Sequence, residues 1–237
     1  MRIDKYLANM NVGSRKEVHK LIKAGNVTIN GQKVKTPKEK VKENDLVEVN
    51  GQEIVYEQYH YFLLNKPKGV LSATEDLHQK TVIDLLKSKD RYKDLAPVGR
   101  LDKDTTGLLL ITNDGQLNHE LLAPNKHVDK GYQALIAGKV TADTVTTFAS
   151  GMELKDGTVL KPAKLEILHV DEGQDRSKIR ITIKEGKYHQ IKRMFGAVGM
   201  KVLELDRLQM GSLYLDSQLK RGQYRELTEA ELERLKN

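Results

Sequence analysis

Between Pro97 and Leu110 a polar loop, Gly99-Arg100-Leu101-Asp102-Lys103-Asp104-Thr105-Thr106-Gly107, is inserted just before an apolar strand, Leu108-Leu109-Leu110. Loops held by rigid elements are where catalytic groups concentrate. Asp102 has Arg100 and Lys103 as close sequence neighbours. A nearby cation favours the carboxylate over the acid and keeps it available as a nucleophile or base. A solvated turn whose charges offset one another fits the same residues, and spacing alone favours that bland reading. Asp102 and Asp104 as metal ligands are a weaker alternative, because no third carboxylate follows at a loop spacing.

Two further segments carry chemistry. Glu185-Gly186-Lys187-Tyr188-His189-Gln190-Ile191-Lys192-Arg193-Met194-Phe195 opens a helix crowded with basic and polar donors. Such a cluster can clamp phosphates or pair with a buried carboxylate, although a charge run is more often a solvated helix face. Lys130-Gly131-Tyr132 heads a strand. A tyrosine there can stack on a nucleic-acid base, although on its own it is more often a core or edge aromatic.

The elements that must position these groups follow from periodicity. Ile3, Tyr6, Leu7 and Met10 recur as on a short amphipathic helix. Ser14-Arg15-Lys16-Glu17 is a capping box that starts a second helix, with Val18, Leu21 and Ile22 on its apolar face and Gly25 as its stop. Lys16, Lys20 and Lys23 line another face of that helix as a positive stripe. Asn30-Gly31 between Val27-Thr28-Ile29 and Gln32-Lys33-Val34 marks a tight type I′ hairpin, and Asp45 to Val49 reads as a strand. Further along, strands are expected at Tyr61 to Leu64, Leu108 to Thr112, Tyr132 to Ala137, Lys164 to His169, Lys178 to Lys184 and Val202 to Arg207. Helices are expected around Val82 to Leu86, Thr141 to Ser150, Ile191 to Val198 and after Thr228. Asn113-Asp114-Gly115 reads as a turn. So many consecutive strands favour an α+β fold with a mainly antiparallel sheet flanked by helices over a doubly wound parallel sheet. The expected division is a small N-terminal module at residues 1–56 and a larger domain at residues 57–237.

The charge is unevenly placed. Of the net +7, residues 1–50 carry 11 Lys/Arg against 6 Asp/Glu, so most of the excess lies on the first fifth of the chain. A concentrated positive field attracts a polyanion; RNA, DNA or an anionic membrane surface each answers to it, and so does a solvated face with no partner. The absence of Cys excludes disulfides, thiolate catalysis and Cys-based zinc sites. No HxxxH or HExxH pair occurs, so no metal site is indicated. There is no apolar h-region at the N-terminus and no apolar run of membrane-spanning length. A cytoplasmic protein is the expectation.

Taken together and in this order, the segments closely resemble bacterial pseudouridine synthases of the RsuA family, the small-subunit ribosomal RNA branch, over nearly the whole chain. Residues 1–50 resemble the S4 RNA-binding domain, through Ser14-Arg15-Lys16-Glu17 and Gly25-Asn26-Val27-Thr28-Ile29-Asn30-Gly31. The loop Gly99 to Leu109 matches the family's catalytic loop, with Asp102 on the catalytic aspartate. Lys130-Gly131-Tyr132 matches the motif whose Tyr lies against the target base. Glu185 to Met194 matches the motif whose basic residue pairs with that aspartate, and Lys192 takes this position. Many other pseudouridine synthases carry Arg there, so a bidentate pair is not available to this chain.

The resemblance implies an isomerisation: the N-glycosidic bond of a uridine breaks, the detached uracil rotates, and it rejoins the sugar through carbon. No cofactor and no metal are implied. The nucleotide must be flipped out of its stack. Asp102 then attacks the sugar or takes one of its protons, Tyr132 covers the uracil, and Lys192 keeps Asp102 ionised. Arg100 and Leu205 are expected at the substrate, Leu205 as part of an apolar wall, and Lys16, Lys20 and Lys23 at RNA. The implied partner is small-subunit ribosomal RNA in an assembly intermediate, met by a monomer. Two rivals stand beside this reading: a non-catalytic RNA-binding or ribosome-assembly factor, and a nucleoside hydrolase. The second needs another carboxylate to activate water, for which Asp104 is the only nearby candidate.

Overall fold

The computed structural model describes residues 1–237. They form two compact units, Met1–His60 with Leu86–Leu95, and Tyr61–Leu85 with Ala96–Asn237.

In the first unit, helices α1 (Ile3–Asn9) and α2 (Arg15–Lys23) precede four short strands: β1 (Val27–Ile29), β2 (Gln32–Lys33), β3 (Val47–Val49) and β4 (Gln52–Glu53). The strands pair in the order β2-β1-β3-β4. Ser14 begins α2 by accepting from the Glu17 amide, while the Glu17 carboxylate accepts from the Ser14 amide at 2.7 Å. Asn30 and Gly31 both have positive φ, 52° and 77°, as a type I′ turn requires. Ile3, Leu7, Val18, Ile22, Val27 and Val47 are buried together as the core. Leu86–Leu95 packs into this unit although its sequence neighbours belong to the other: Asn11 Nδ2 donates to the Lys89 carbonyl at 3.1 Å, and Tyr92 stacks on His60.

The second unit holds β5 (Tyr61–Lys66), β6 (Ala96–Val98), β7 (Thr106–Thr112), α3 (Gly115–Leu122), β8 (Lys130–Ala137) and α4 (Ala142–Ala149). There follow β9 (Met152–Glu153), β10 (Val159–Leu160), β11 (Lys164–Asp171), β12 (Arg176–Ile183) and α5 (Gln190–Ala197). The chain ends through β13 (Lys201–Met210), β14 (Leu213–Tyr214), β15 (Tyr224–Glu226) and α6 (Glu229–Lys236). The main sheet runs β11-β12-β8-β13-β7-β5-β15, with β14 on β13 and β6 on β7. Only the β13–β7 pair is parallel, so the fold is the α+β, mainly antiparallel arrangement expected from the alternating strands.

Two local expectations differ. Val82 to Leu86 yields only a 3-10 turn, Ile83–Leu85. Asn113-Asp114-Gly115 is the start of α3 rather than a free turn, because the Asp114 carboxylate accepts from the Leu117 amide at 3.0 Å and caps the helix.

β7 is buried at every residue and runs through the middle of the sheet. Its parallel contact with β13 requires Gly107, which has φ +101°. A Cβ there would lie 2.2 Å from the Arg207 carbonyl oxygen, so any side chain would push apart the strands beneath the polar loop.

Candidate active site

The polar loop joins β6 to β7 and is fixed from below by buried donors. Lys66, the last residue of β5, has no exposed surface. Its ammonium donates to the backbone carbonyls of Pro67 (3.2 Å), Asp102 (3.1 Å), Lys103 (3.3 Å) and Thr105 (2.9 Å). Burial brings this amine down to about 8, although Asp104 and Asp102 work to raise it. Ser72 Oγ donates to the Leu101 carbonyl at 2.9 Å and accepts from the Leu101 amide at 3.1 Å. Arg207, also buried, donates from Nε to the Leu108 carbonyl and from Nη2 to the Gly99 carbonyl, each at 2.9 Å. The main chain on both sides of Asp102 is therefore held by side chains that have little freedom of their own.

The Asp102 carboxylate is half-buried and meets an ammonium and an imidazole. Lys192 Nζ lies 2.9 Å from Oδ2, and His189 Nε2 lies 3.3 Å from Oδ1. Lys192 also donates to Asp104 at 2.7 Å. Burial alone would push the Lys192 ammonium down, but its hydrogen bonds to Asp104 and Asp102 outweigh that and hold it above the ordinary lysine value. The hydrogen bond from Lys192 holds Asp104 below the ordinary carboxylate range. The two carboxylates thus converge on an ammonium. No group of three or more His, Asp or Glu side chains has metal-binding geometry.

Lys192 and His189 are placed by the start of α5. Gln190 accepts from the Lys187 amide at 3.0 Å and donates to Glu185 at 2.8 Å, folding the preceding loop back on the helix. His189 sits just before α5 in the left-handed region, φ 46° and ψ 36°. Its ring stacks on Tyr188 with centroids 3.9 Å apart. The backbone of a non-glycine residue stays in this region only where its surroundings hold it there.

A cleft opens over Asp102, and its walls include Arg100, Tyr132, Ile183, Lys192 and Leu205. The sequence-derived residues of this unit, Asp102, Tyr132, Lys192, Arg100 and Leu205, are thus gathered in one place. Tyr132 is buried on β8, facing Arg207 and Ile181 in the ladder. Lys16, Lys20 and Lys23 lie on α2 of the first unit, all exposed. Three residues of the site were not singled out by the sequence. His189 and Lys66 touch Asp102 through its carboxylate and its carbonyl, and Thr105 lines the cleft with a buried hydroxyl that has no hydrogen-bond partner. The signal for Lys66 was a lysine closing an apolar run, Tyr61-Phe62-Leu63-Leu64, a place where a charge must find buried acceptors.

The arrangement supplies a carboxyl group, an ammonium on it, an apolar wall and an aromatic ring in one cleft. Comparison with known proteins gives it a setting. The family described as RNA pseudouridylate synthase matches residues 60–197, and the S4 domain matches residues 1–47. A Bacillus subtilis protein named as an uncharacterized RNA pseudouridine synthase is 48% identical over 98% of this chain and 97% of its own. The ribosomal small subunit pseudouridine synthase A of Vibrio cholerae is 41% identical over 98% of both. The ribosomal large subunit pseudouridine synthase B of Bacillus subtilis is 39% identical over 99% of this chain and 95% of its own. A crystal structure of a pseudouridylate synthase superposes with a TM-score of 0.68 at 37% identity, covering 99% of both chains.

Proposed function

Because the chain belongs to the RNA pseudouridylate synthase family, a family of RNA isomerases, we propose that it converts a uridine of 16S ribosomal RNA to pseudouridine with Asp102 as the catalytic carboxylate. One observation carries the assignment of Asp102: it stands in the cleft with one oxygen on Lys192 and the other on His189, under Tyr132 and Leu205. Attack on the ribose and removal of one of its protons both call for a carboxylate with a free lone pair in reach of the sugar. The first bond to break joins N1 of uracil to the sugar; the bond that forms joins C5 to the same sugar carbon, C5 gives up its proton, and N1 takes one up, so the product is an isomer of the substrate. Atoms balance without a redox partner.

Tyr132 covers the detached uracil, and Leu205 and Ile183 wall it in, so that it rotates rather than leaves. Lys192 is a positioning residue for Asp102 and offsets charge there during the reaction. Arg100, at the mouth of the cleft, takes the backbone of the flipped nucleotide. Residues 1–56 act as the S4-like RNA-binding domain and residues 57–237 as the synthase domain. No helix is long and apolar enough to cross a membrane, and the place of action is the cytoplasm, on the small subunit during assembly.

Relatives named for the small and for the large ribosomal subunit are similarly identical to this chain. The small-subunit assignment rests on Lys103-Asp104-Thr105-Thr106 and Glu185-Gly186-Lys187-Tyr188-His189-Gln190. The test is to incubate the protein with unmodified 16S and 23S ribosomal RNA, naked and partly assembled, and to map pseudouridines chemically. Modification of 16S RNA without added cofactor or metal is expected. Modification of 23S RNA alone keeps the chemistry and removes the subunit assignment; no modification of either removes the enzyme reading.

A further inference from the structure

Beside the Asp102 cleft lies a second and larger depression of about 980 Å³, and the two share Arg100, Tyr132, Gly186 and Lys187 in their walls. A nucleotide fits a space of this size. Its lining joins two kinds of surface. Leu122, Pro124, Leu160 and Pro162 supply apolar area, and Arg100, Lys130, Lys161, Lys184, Lys187 and Arg207 supply positive charge. The single carboxylate in the lining, Glu185, is already engaged by the Lys161 amide at 2.9 Å and by Gln190 at 2.8 Å.

Two of these cations are buried without an ion pair. Lys130 is 7% exposed and donates only to the Val128 carbonyl, at 3.3 Å. Arg207 is 1% exposed and is bonded only to carbonyls. Burial lowers the Lys130 amine, Arg207 lowers it further, and Asp129 offsets only part of this. Buried like charges cost free energy unless something answers them, and here they charge the wall of an open groove.

We infer that this groove is a second RNA subsite, which binds the phosphate and base of an unpaired nucleotide adjoining the target uridine. The inference rests on the pseudouridine synthase reading, since the shared wall makes the groove continuous with the nucleotide that reaches Asp102. The exposed cations Arg100, Lys161, Lys184 and Lys187 meet the phosphodiester, and the apolar side chains take the base face, which is sequence-tolerant contact of the kind single-stranded RNA offers. Groove binding then adds affinity away from the reacting atoms, gained equally in the ground state and in the transition state.

The test uses the full chain carrying Lys161→Gln and Lys184→Gln, two exposed residues on the groove. A control carries Lys164→Gln and Lys201→Gln, exposed lysines outside it. Affinity for a 16S ribosomal RNA transcript is measured against salt concentration, alongside KM and kcat. The groove variant is expected to bind with a log–log salt slope smaller by about 1.4, two contacts at about 0.7 each. Its KM should rise with kcat unchanged, and the control should match wild type. An unchanged slope and KM in the groove variant would overturn the subsite, as would an equal loss in the control, which would mark a general charge effect. Failure of wild type to make pseudouridine would strike the proposed function instead, because the salt slope is read from binding alone.

Discussion

Lys66 holds Asp102 by its backbone: the buried ammonium donates to the Asp102 carbonyl at 3.1 Å while the carboxylate is left to face the cleft. The same ammonium ties down Pro67, Lys103 and Thr105, so one side chain fixes the second half of the loop, while Ser72 and Arg207 hold the first. Lys66→Met is expected to lower kcat by about 100-fold, since small misplacements of a reacting group carry that cost. It should also destabilise the fold by about 3 kcal/mol, because buried carbonyls lose their donor.

The pH dependence of Lys66 separates these effects. Its folded value of about 8 lies below the ordinary 10.5, so between those values the unfolded chain binds more protons than the folded one. Stability therefore gains from this group as pH rises through that window. Activity should move the other way, falling above about pH 8 as the ammonium loses its charge and a donor. Thermal melts and single-turnover rates measured from pH 7 to about 10 should diverge. A parallel fall of both would mean that unfolding, not the loop, limits activity.

Asp102→Asn keeps the shape and removes the charge. Turnover should fall by about 10⁴-fold or more, as for the loss of a reacting group, with RNA affinity within a few-fold of wild type. Residual turnover of a few per cent would assign the chemistry elsewhere. Lys192→Met should cost about 100- to 1000-fold in kcat, and Lys192→Arg should recover most of that, because a guanidinium still pairs with Asp102.

His189 combines a strained backbone with a contact to Asp102 Oδ1 at 3.3 Å. The combination fits a residue kept for function at a cost in stability. His189→Gly should raise the unfolding free energy by up to about 1 kcal/mol, as the left-handed conformation no longer penalises a side chain, and kcat should drop by about tenfold. His189→Asn, which also tolerates this backbone, should show the kinetic loss with a smaller gain than Gly. Unchanged kcat in both variants would reduce His189 to a helix-start residue.

How much of this was legible depended on whether a residue's neighbours in sequence are also its partners in space. The capping boxes at Ser14 and Thr228 and the Asn30-Gly31 turn are local, and each stands where its residues indicate. Asp102, Tyr132 and Lys192 were singled out through motif order, and their meeting in one cleft follows from β7, β8 and α5 being brought together by the sheet. Lys66 was hidden because three of its four acceptors lie 36 to 39 residues away in a loop. α3 was hidden because Asp114-Gly115 has turn chemistry as well as cap chemistry. The attachment of Leu86–Leu95 to the first unit has no local signal at all.

Thr105 offers a stability test of a different sign. Its hydroxyl is buried in the wall of the cleft without a hydrogen-bond partner, a costly state for a polar group. Thr105→Val removes the orphan with almost no change of shape and should stabilise the chain by about 1 kcal/mol. If the hydroxyl waits for the flipped nucleotide, the same change should raise KM or lower kcat by about tenfold. Stabilisation with full activity would show that the hydroxyl contributes nothing to the substrate.

The positive stripe of α2 is expected to add affinity rather than chemistry. Lys16, Lys20 and Lys23 are all exposed on one capped helix, where they meet phosphates without reading sequence. Replacing all three with Gln should weaken RNA binding at low salt and flatten the log–log salt dependence by about 2.1 to 2.7 units, at roughly 0.7 to 0.9 per contact. kcat at saturating RNA should stay as in wild type. Point substitutions are the sharper tool here, because deleting residues 1–50 does more than remove charge. Leu86 and Leu95 are buried and belong to the same compact unit as the deleted residues, so truncation would strand a segment that lies within the synthase sequence. Loss of turnover in the truncated chain would therefore report damage to Leu86–Leu95, whereas loss of kcat in the triple Gln variant would mean that the stripe itself takes part in catalysis.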